Sequence, residues 1–217
     1  MWGKMNKTGN PNINTKEYWN MIYSDPVKKS NYMAQDTSET ISEANYKIKP
    51  TMRFETALGQ VNDGDKVLDI GCGVGKFCEL VYSRKENVEV WGCDISDIAM
   101  YDNTVRFPQI NYRHAIVGNL EGIPDDYFDV VFTGELLEHL DDPNDLIKDA
   151  HKKLKQGGKL ILTTPLEDRI NSPEHTYMFT HDDVKELFVK NGFTKTRFVY
   201  LPNNEHLLVI FCIGYKA

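Results

Sequence analysis

Short apolar runs alternate with amphipathic stretches along most of the chain. Runs with the composition of buried strands occupy 66–70, 88–93, 110–114, 128–133 and 158–163. Apolar residues recur at helical spacing over about 75–84, 96–104, 143–155 and 181–191. This alternation of strands and helices predicts an α/β fold, in which a mostly parallel sheet is covered by helices on both faces.

Start and stop signals in the second half of the chain refine this picture. Gly157 and the glycine after it are expected to end one helix, and Thr180 with Asp183 predicts a capping box at the start of the last helix. Two apolar runs follow, Phe193–Leu201 and His206–Tyr215, with a short segment containing proline and asparagine between them. They predict a hairpin, so the sheet should end with an antiparallel strand.

The first fifty residues have a different character. Residues 1 to about 15 are mostly polar and are expected to be disordered or loosely attached. From about 15 to 51, aromatic residues with weak helical spacing predict one to three helices that cap a cleft: Tyr18, Trp19, Tyr23, Tyr32 and Tyr46. Met52–Leu58 is the expected last helix before the sheet. We therefore divide the chain into a flexible N-terminus with a helical cap, 1–50, and a main domain, 51–217.

The most informative segment is Val67–Gly75. An apolar run that carries Asp69 leads into three glycines that alternate with small residues, beginning at Gly71. Glycine accepts a left-handed backbone and leaves no Cβ in the turn, so a ligand can approach the main chain closely. Asp94 ends a second apolar run, 23 residues past Gly71. An acid at the tip of the second strand is where a doubly wound fold holds a ribose diol, so the pair predicts a nucleoside-cofactor site.

The spacing of the glycines indicates which nucleoside cofactor the site binds. Dinucleotide folds use G-x-G-x-x-G before a pyrophosphate, whereas this chain has G-x-G-x-G directly after an acid. That acid would repel a phosphate but suits the ammonium of S-adenosylmethionine, which carries a sulfonium and a ribose and no phosphate. The chain resembles the class I S-adenosylmethionine-dependent methyltransferases, and its motifs are most similar to those of the ubiquinone-biosynthesis O-methyltransferases. The resemblance implies a Rossmann-like sheet of seven strands, mostly parallel, with the last strand antiparallel.

The resemblance also implies which residues bind the cofactor. It assigns the methionine portion to Asp69 and the backbone of Gly71, Cys72 and Gly73, the ribose to Asp94, and the adenine to Ile95, Asn119 and Leu120. In the family an acid usually stands where this chain has Asn119, and an asparagine that simply forms a turn is the alternative. Arg53 is the candidate partner of the methionine carboxylate, and a solvated helix charge is the alternative for it. Ile95 is equally compatible with ordinary core packing.

Candidate catalytic residues follow the fourth strand, where open α/β sheets place their ligands. On a helix, Glu135, Glu138 and His139 would share one face, with Leu136 and Leu137 turned toward the core. The ubiquinone-type O-methyltransferases and the small-RNA 2′-O-methyltransferases carry a similar Glu-x-x-Glu-His element.

In that resemblance a divalent metal, with magnesium as our expectation, is held by Glu135, Glu138, His139 and His175 and orients the acceptor hydroxyl. Without a metal, His139 is the candidate general base, and Glu135 is the second candidate catalytic residue. The alternative is an ordinary surface pair, Glu135 and His139, in the first turn of a helix.

Composition narrows the functional classes. The chain has 217 residues, a formal charge of −7 and a pI near 5.4, which argue against a broad nucleic-acid-binding face. Its four cysteines, Cys72, Cys78, Cys93 and Cys212, show no C-x-x-C spacing, so we expect buried, reduced thiols in a cytoplasmic protein. The N-terminus lacks the apolar core of a signal peptide, and the longest apolar run, Leu207–Ile213, is too short to span a membrane.

Together these features predict an S-adenosylmethionine-dependent methyltransferase that acts on a small molecule, with a hydroxyl oxygen as the expected acceptor. An RNA ribose 2′-O-methyltransferase is one alternative, and it requires a basic groove that the scattered Lys and Arg residues do not indicate. A cofactor-binding regulatory domain without turnover is another. The sequence leaves open the identity of the acceptor, methylation of nitrogen or carbon instead of oxygen, and the oligomeric state.

Overall fold

The structure is a computed structural model that describes residues 13–35, 52–166, 174–203 and 207–217. The expectations for residues 1–12, and the prediction that Tyr46 belongs to the cap, lie outside the described residues, as does the side chain of Tyr32. The division of the chain at residue 50 stays a proposal.

The core of the molecule is one seven-stranded sheet. Its strands are β1 Lys66–Ile70, β2 Glu89–Asp94, β3 Asn111–His114, β4 Phe128–Gly134, β5 Leu154–Pro165, β6 Phe193–Asn203 and β7 Leu207–Lys216. They lie in the order β3-β2-β1-β4-β5-β7-β6, and β7 runs antiparallel to both of its neighbours while the pairs from β3 to β5 are parallel. The predicted α/β class, the mostly parallel sheet and the antiparallel last strand are confirmed.

Helices cover both faces of this sheet. They are α1 Lys16–Ser24, α2 Pro26–Gln35, α3 Met52–Leu58, α4 Lys76–Arg84, α5 Asp97–Arg106, α6 Pro143–Lys153 and α7 His181–Lys190. Two buried apolar clusters follow from this arrangement: α3, α4 and α5 pack on one face, and α6 and α7 pack on the other. The capping box predicted at the start of α7 is present, since Thr180 and Asp183 bond reciprocally. Among the described residues, no helix is long and apolar enough to cross a membrane.

The junction between α6 and β5 differs from the prediction. The helix ends at Lys153, two residues early, and Leu154 already pairs with Phe128 of β4. The buried ammonium of Lys153 donates to the carbonyl oxygens of Leu120 and Ile123 at 3.2 and 2.6 Å, which ties the end of the helix to the segment between β3 and β4. Gly157, with φ of 76°, therefore lies in an irregular stretch of β5 and does not terminate the helix.

The order of the strands places a crevice between β1 and β4. From β1 the chain proceeds to β2 and β3 on one side, and it then crosses to β4 on the other side. Because the connections leave in opposite directions at this point, the loops after β1 and β4 diverge and leave space between them. The sites predicted after β1, β2 and β4 all lie at this edge of the sheet.

Candidate active site

A cavity of about 390 Å³ opens at the switch point, a size typical of small-molecule sites. It is lined by twelve of the thirteen predicted site residues: Arg53, Asp69, Gly71, Cys72, Gly73, Asp94, Ile95, Leu120, Glu135, Glu138, His139 and His175. Asn119 does not line it. The loops after three parallel strands, together with the cap, therefore form one continuous pocket.

The glycine-rich loop after β1 is shaped by close contacts. Gly71 and Gly73 have φ of 75° and 49°, in the left-handed region that other residues rarely adopt. A Cβ at Gly71 would lie 2.6 Å from the Leu136 side chain, and one at Gly73 would lie 2.7 Å from the Tyr23 hydroxyl oxygen. Any larger residue would therefore displace the wall or the cap of the cavity.

Three amide groups of this loop are bonded within the protein. The N–H groups of Gly71 and Cys72 donate to the Cys93 carbonyl oxygen at 2.8 and 2.9 Å, and that of Gly73 donates to Asp94 at 3.0 Å. These amides therefore hold the loop against β2, and the missing Cβ atoms let Leu136 and Tyr23 pack close to its main chain.

Two side chains of α5 fix the loop from behind, and sequence reasoning missed both. Asn103 Nδ2 donates to the Gly73 carbonyl oxygen at 2.8 Å, and Arg106 donates to the Val74 carbonyl oxygen at 2.5 Å. Asn103 is almost fully buried. The available signal was an asparagine on the apolar face of an amphipathic helix, where a buried amide needs a specific partner.

Asp94 is held in one orientation by the backbone. Its two carboxylate oxygens accept N–H bonds from Gly73 at 3.0 Å and from Ser96 at 2.9 Å, one on each oxygen. Burial raises its pKa, and these two bonds oppose the increase. Each oxygen keeps a further lone pair, so a fixed, cavity-lining carboxylate is available to two vicinal hydroxyls.

Asp69 is more deeply buried, and it lines the same cavity. Its nearest hydrogen-bonding side chain is the weak donor Cys78, with Sγ 3.7 Å from Oδ2. Burial raises the pKa of Asp69 to about 8, and the charge of Asp94 adds to this effect. A cationic group in the cavity would reverse the increase, so the residue suits an ammonium.

Of the remaining predicted cofactor residues, two line the cavity and one does not. Ile95 and Leu120 line the cavity together with Ala115, Ile116 and Val117, so they form an apolar wall beside Asp94. Asn119 is exposed, and its N–H closes a turn on the Ile116 carbonyl oxygen at 2.8 Å. The backbone of Asn119 therefore closes a turn, and the adenine contact assigned to its side chain stays a prediction.

Arg53 is a cavity residue and not a solvated helix charge. It projects from α3, is only 9% exposed, and its Nη1 lies 3.7 Å from Glu135 Oε2.

The prediction that Glu135 begins a helix is wrong. Glu135 has φ of 53°, and only Leu137–His139 form a single 3₁₀ turn. The reason is that the Glu135 N–H still bonds to the Thr163 carbonyl oxygen of β5, at 3.0 Å, so the ladder continues past the end of β4.

Glu138, His139 and His175 converge at the other end of the cavity. One ligand-capable atom from each lies within 4.8 Å of the other two. Glu138 is 2% exposed; its Oε2 accepts from Thr164 Oγ1 at 2.9 Å, and its Oε1 has no hydrogen-bond partner in the part of the chain that the structure describes. Burial, followed by the charge of Glu135, raises the pKa of Glu138 well above its usual range. Glu135 does not belong to this cluster.

The two imidazoles of the cluster are neutral near pH 7. Burial lowers the pKa of His139. Burial, followed by the positive charge that a protonated His139 would carry, lowers the pKa of His175 to about 4. His139 Nδ1 lies 2.9 Å from the Glu174 carbonyl oxygen, which can only accept, so Nδ1 carries the proton and Nε2 is left with a lone pair. A neutral Nε2 can bind a metal or receive a proton.

Helix α1 closes the cavity, as the aromatic residues predict. Trp19 and Tyr23 line it, with stacked rings 6.1 Å apart, and the Trp19 ring lies 5.7 Å from that of His139. Tyr18 donates a hydrogen bond to Glu174. The cap therefore contacts both the glycine loop and the histidine end of the site.

A comparison with known families settles the class. A family model described as a methyltransferase domain matches residues 42–197, well over half of the sequence. The chain belongs to the S-adenosylmethionine-dependent methyltransferase family. S-Adenosylmethionine is its cofactor, and the residues around the cavity fit this molecule: a fixed carboxylate for a diol, a buried acid for an ammonium and an apolar wall for a base.

The similarity to individual curated proteins covers only part of each sequence. The ubiquinone biosynthesis O-methyltransferase of Pseudomonas aeruginosa strain UCBPP-PA14 is 33% identical over 120 residues, which are 54% of this chain and 49% of that protein. The chain thus spans about half the length of such curated relatives.

Solved structures with the same fold carry different names. Phosphoethanolamine N-methyltransferase 2 of Haemonchus contortus, in complex with S-adenosylmethionine, has a TM-score of 0.74 at 15% identity, over 93% of this chain and 59% of that one. The [4+2]-cyclase SpnF has a TM-score of 0.70 at 14% identity, over 93% and 96%. The fold is therefore shared by proteins with different reactions, and the reaction must be argued from the site.

Proposed function

We propose that this protein transfers the methyl group of S-adenosylmethionine to a hydroxyl oxygen of a small molecule. The observation that carries the proposal is the division of one cavity into two ends, with Asp69 and Asp94 at one and Glu138, His139 and His175 at the other. The name of the Pseudomonas relative supports oxygen as the acceptor atom. A cytoplasmic location, inferred from thiols that are all free and buried, stays a prediction.

At the cofactor end, the residues bind and orient S-adenosylmethionine. Asp94 accepts from the ribose hydroxyls, Asp69 pairs with the ammonium, Arg53 pairs with the carboxylate, and Ile95 and Leu120 contact the adenine. When bound, the cofactor supplies a methyl group that its sulfonium has already activated. The protein therefore needs only to align an acceptor oxygen, exclude water and remove a proton.

At the acceptor end, His139 is the proposed general base. It is neutral at pH 7, its Nδ1–H is held by the Glu174 carbonyl, and its Nε2 is left to take the hydroxyl proton. Trp19 and the cap exclude water above it. Glu135 is the second candidate; because its carboxylate lies against Arg53, we propose that it positions this guanidinium.

The general-base role applies without a metal. In the metal-bound form we propose that Glu138, His139 and His175 hold a divalent cation, and Nε2 of His139 then serves as a ligand and not as the base. The buried, unpartnered Oε1 of Glu138 and the imidazole fixed through its other nitrogen are what such ligands require. A bound cation would lower the pKa of the acceptor hydroxyl and hold it. Two imidazoles with one carboxylate suit zinc or iron(II) better than magnesium, which prefers oxygen ligands, so this donor set argues against the magnesium expected from the sequence.

Two variants test the division of the cavity. Asp94→Ala should weaken S-adenosylhomocysteine binding about 10- to 100-fold, because charge-assisted bonds to the ribose are lost. His139→Ala should leave that affinity within about twofold while lowering turnover by about 10²- to 10⁴-fold, the usual contribution of a general base. Calorimetry gives the affinities. Turnover is followed as S-adenosylhomocysteine formed with a panel of phenols, catechols and matched anilines. Asp182→Ala, at an exposed position of α7, is the control.

Different outcomes test cofactor binding, the choice of acceptor atom and the two-ended cavity separately. If wild-type protein binds neither S-adenosylmethionine nor S-adenosylhomocysteine, the proposed function is wrong. Methylation of the anilines but of no phenol or catechol would overturn the choice of oxygen. Equal losses of affinity in both variants would contradict the two-ended site.

The metal proposal has its own test. Glu138→Gln should lower the affinity for Zn²⁺ by at least about 100-fold, since it removes a ligand that the other two cannot replace. Glu135→Gln should keep that affinity, because Glu135 lies outside the three-residue cluster. Titration of the protein with Zn²⁺, Mn²⁺ or Mg²⁺ alone, before and after EDTA, measures both. A matching loss in Glu135→Gln would restore the four-ligand set that the sequence predicts.

A further inference from the structure

One buried lysine outside the cavity contacts the connection between β3 and β4. Lys153, the last residue of α6, is 4% exposed, and its ammonium donates to the carbonyl oxygens of Leu120 and Ile123 at 3.2 and 2.6 Å and to Asp125 Oδ1 at 2.7 Å. Lysines are rarely buried so completely, because an ammonium that leaves water needs a partner for its charge and its N–H groups. Here three oxygens accept from the three donors, and all of them belong to the same connection.

An acid of the same helix contacts this connection as well. Asp149 lies one turn before Lys153 on α6, so the two side chains share one face of the helix. Asp149 Oδ2 accepts from the Gly118 N–H at 2.7 Å. The acid therefore holds a main-chain donor of the connection, and the ammonium holds two main-chain acceptors. Bonds to charged groups are stronger than bonds between neutral groups, so α6 fixes the connection firmly at these points.

The same connection carries most of the apolar wall of the cavity. Four of the five wall residues lie in it: Ala115, Ile116, Val117 and Leu120. Its own main-chain bonds close two turns, from the Asn119 N–H to the Ile116 carbonyl oxygen at 2.8 Å and from the Ile123 N–H to the Leu120 carbonyl oxygen at 3.4 Å. These turns shape the loop locally, while the bonds to α6 fix its place against the rest of the molecule. Neither Asp149 nor Lys153 lines the cavity.

We propose that Asp149 and Lys153 are positioning residues for the base of the cofactor. By holding the connection from outside the cavity, they keep the apolar wall where it contacts an adenine ring, and so they set the affinity for that base. The inference rests on the proposed contact between Leu120 and the adenine. Because neither side chain touches the ligand, their loss should weaken only ligands that carry a base. Binding of the ribose and the amino-acid portion, assigned to Asp94 and Asp69, should not change.

The experiment compares ligands with and without the base. Calorimetry measures binding of S-adenosylhomocysteine and of S-ribosylhomocysteine, in which a hydroxyl replaces the adenine. Lys153→Met and Asp149→Ala should each weaken S-adenosylhomocysteine about 3- to 30-fold and leave S-ribosylhomocysteine within about twofold. Asp149→Asn should recover most of the loss, because its amide oxygen can still accept from the Gly118 N–H. Hydrogen exchange over residues 115–123 should be faster in Lys153→Met and Asp149→Ala than in wild type.

Lys216 offers a matched control. Its side chain is 11% exposed, and its ammonium donates to Asp126 Oδ1 at 2.6 Å and to the carbonyl oxygens of His151 and Leu154 at 2.9 and 2.8 Å. The number and kind of contacts match those of Lys153, but they lie outside the wall. Lys216→Met should therefore lower the melting temperature as Lys153→Met does, while both ligands stay within about twofold of wild type and exchange over 115–123 stays unchanged.

Each alternative has a distinct result. Equal weakening of both ligands by Lys153→Met and Asp149→Ala would show a general structural role and overturn the inference. Unchanged binding of S-adenosylhomocysteine in both variants would also overturn it, and if Lys153→Met does not fold, the two variants of Asp149 decide the question. If wild type binds neither ligand, the proposed function fails, and this inference with it. If wild type binds both ligands equally well, the rest of the cofactor site stands, but the wall contributes nothing to recognition of the base and the inference is wrong.

Discussion

At the scale of single residues, the site is dominated by acids whose burial changes their charge. Burial raises the pKa of Asp69 to about 8, so the carboxyl is mostly protonated at pH 7. Only its ionised form attracts an ammonium. Binding of the cofactor must then release a proton below pH 8, and the affinity must fall as the pH falls through that range.

This sign gives a direct prediction. The affinity of wild type for S-adenosylhomocysteine should drop about tenfold per pH unit between pH 7.5 and 6. Asp69→Asn should bind more weakly at pH 8 and show almost no pH dependence over the same range, because its amide does not titrate. Calorimetry across this range in matched ionic strength measures both. A slope that persists in Asp69→Asn would assign the titration to another group.

At the scale of elements, periodicity and turn residues predict what depends on local chemistry. The strands that carry Asp69 and Asp94, the capping box at Thr180 and the final hairpin follow from patterns a few residues long, and the structure contains them. These features depend on turn residues and on the alternation of apolar residues, and both can be read from the sequence.

Elements that depend on distant partners are not predictable in this way. Glu135–His139 satisfies helical spacing, but the bond between the Glu135 N–H and Thr163 extends the sheet and prevents the helix. Likewise Asn103 and Lys153 have no local motif, because their partners lie in other parts of the chain. The three-residue cluster of Glu138, His139 and His175 was foreseeable in membership from the resemblance, while the exclusion of Glu135 from it was not.

At the scale of the whole molecule, α1 connects the two ends of the cavity. Asn20 accepts from the Ser96 hydroxyl and donates to Asp97, both at 2.7 Å, and the Ser96 N–H in turn holds Asp94. Two residues earlier, Tyr18 bonds to Glu174, whose carbonyl oxygen accepts from His139. One turn of a surface helix thus touches the supports of both the ribose acid and the candidate base.

Helix α1 is held in place mainly by polar contacts, which determines how it should respond to mutation. Among the residues of α1 only Ile22 is buried, so the helix contributes little to the core and can open while the sheet stays folded. Asn20→Ala removes the bonds to Ser96 and Asp97, worth about 1 kcal/mol each, and a longer bond of 3.5 Å from the Ile98 N–H. We expect S-adenosylhomocysteine to dissociate about tenfold faster, with a melting temperature only a few degrees lower. Stopped-flow displacement measures the rate.

Hydrogen exchange tests the same prediction at the level of the helix. In wild type, S-adenosylhomocysteine should slow exchange over Lys16–Ser24, since Trp19 and Tyr23 of this helix line the cavity proposed to bind it. Asn20→Ala should reduce that protection. Glu17→Ala, at an exposed position of the same helix, should keep it. If the ligand slows exchange equally in wild type and Asn20→Ala, and dissociates at the same rate from both, then α1 is only a static wall and opening of the cap does not control access. An opening that does control it would make release of the demethylated product, and not methyl transfer, the step most sensitive to this helix.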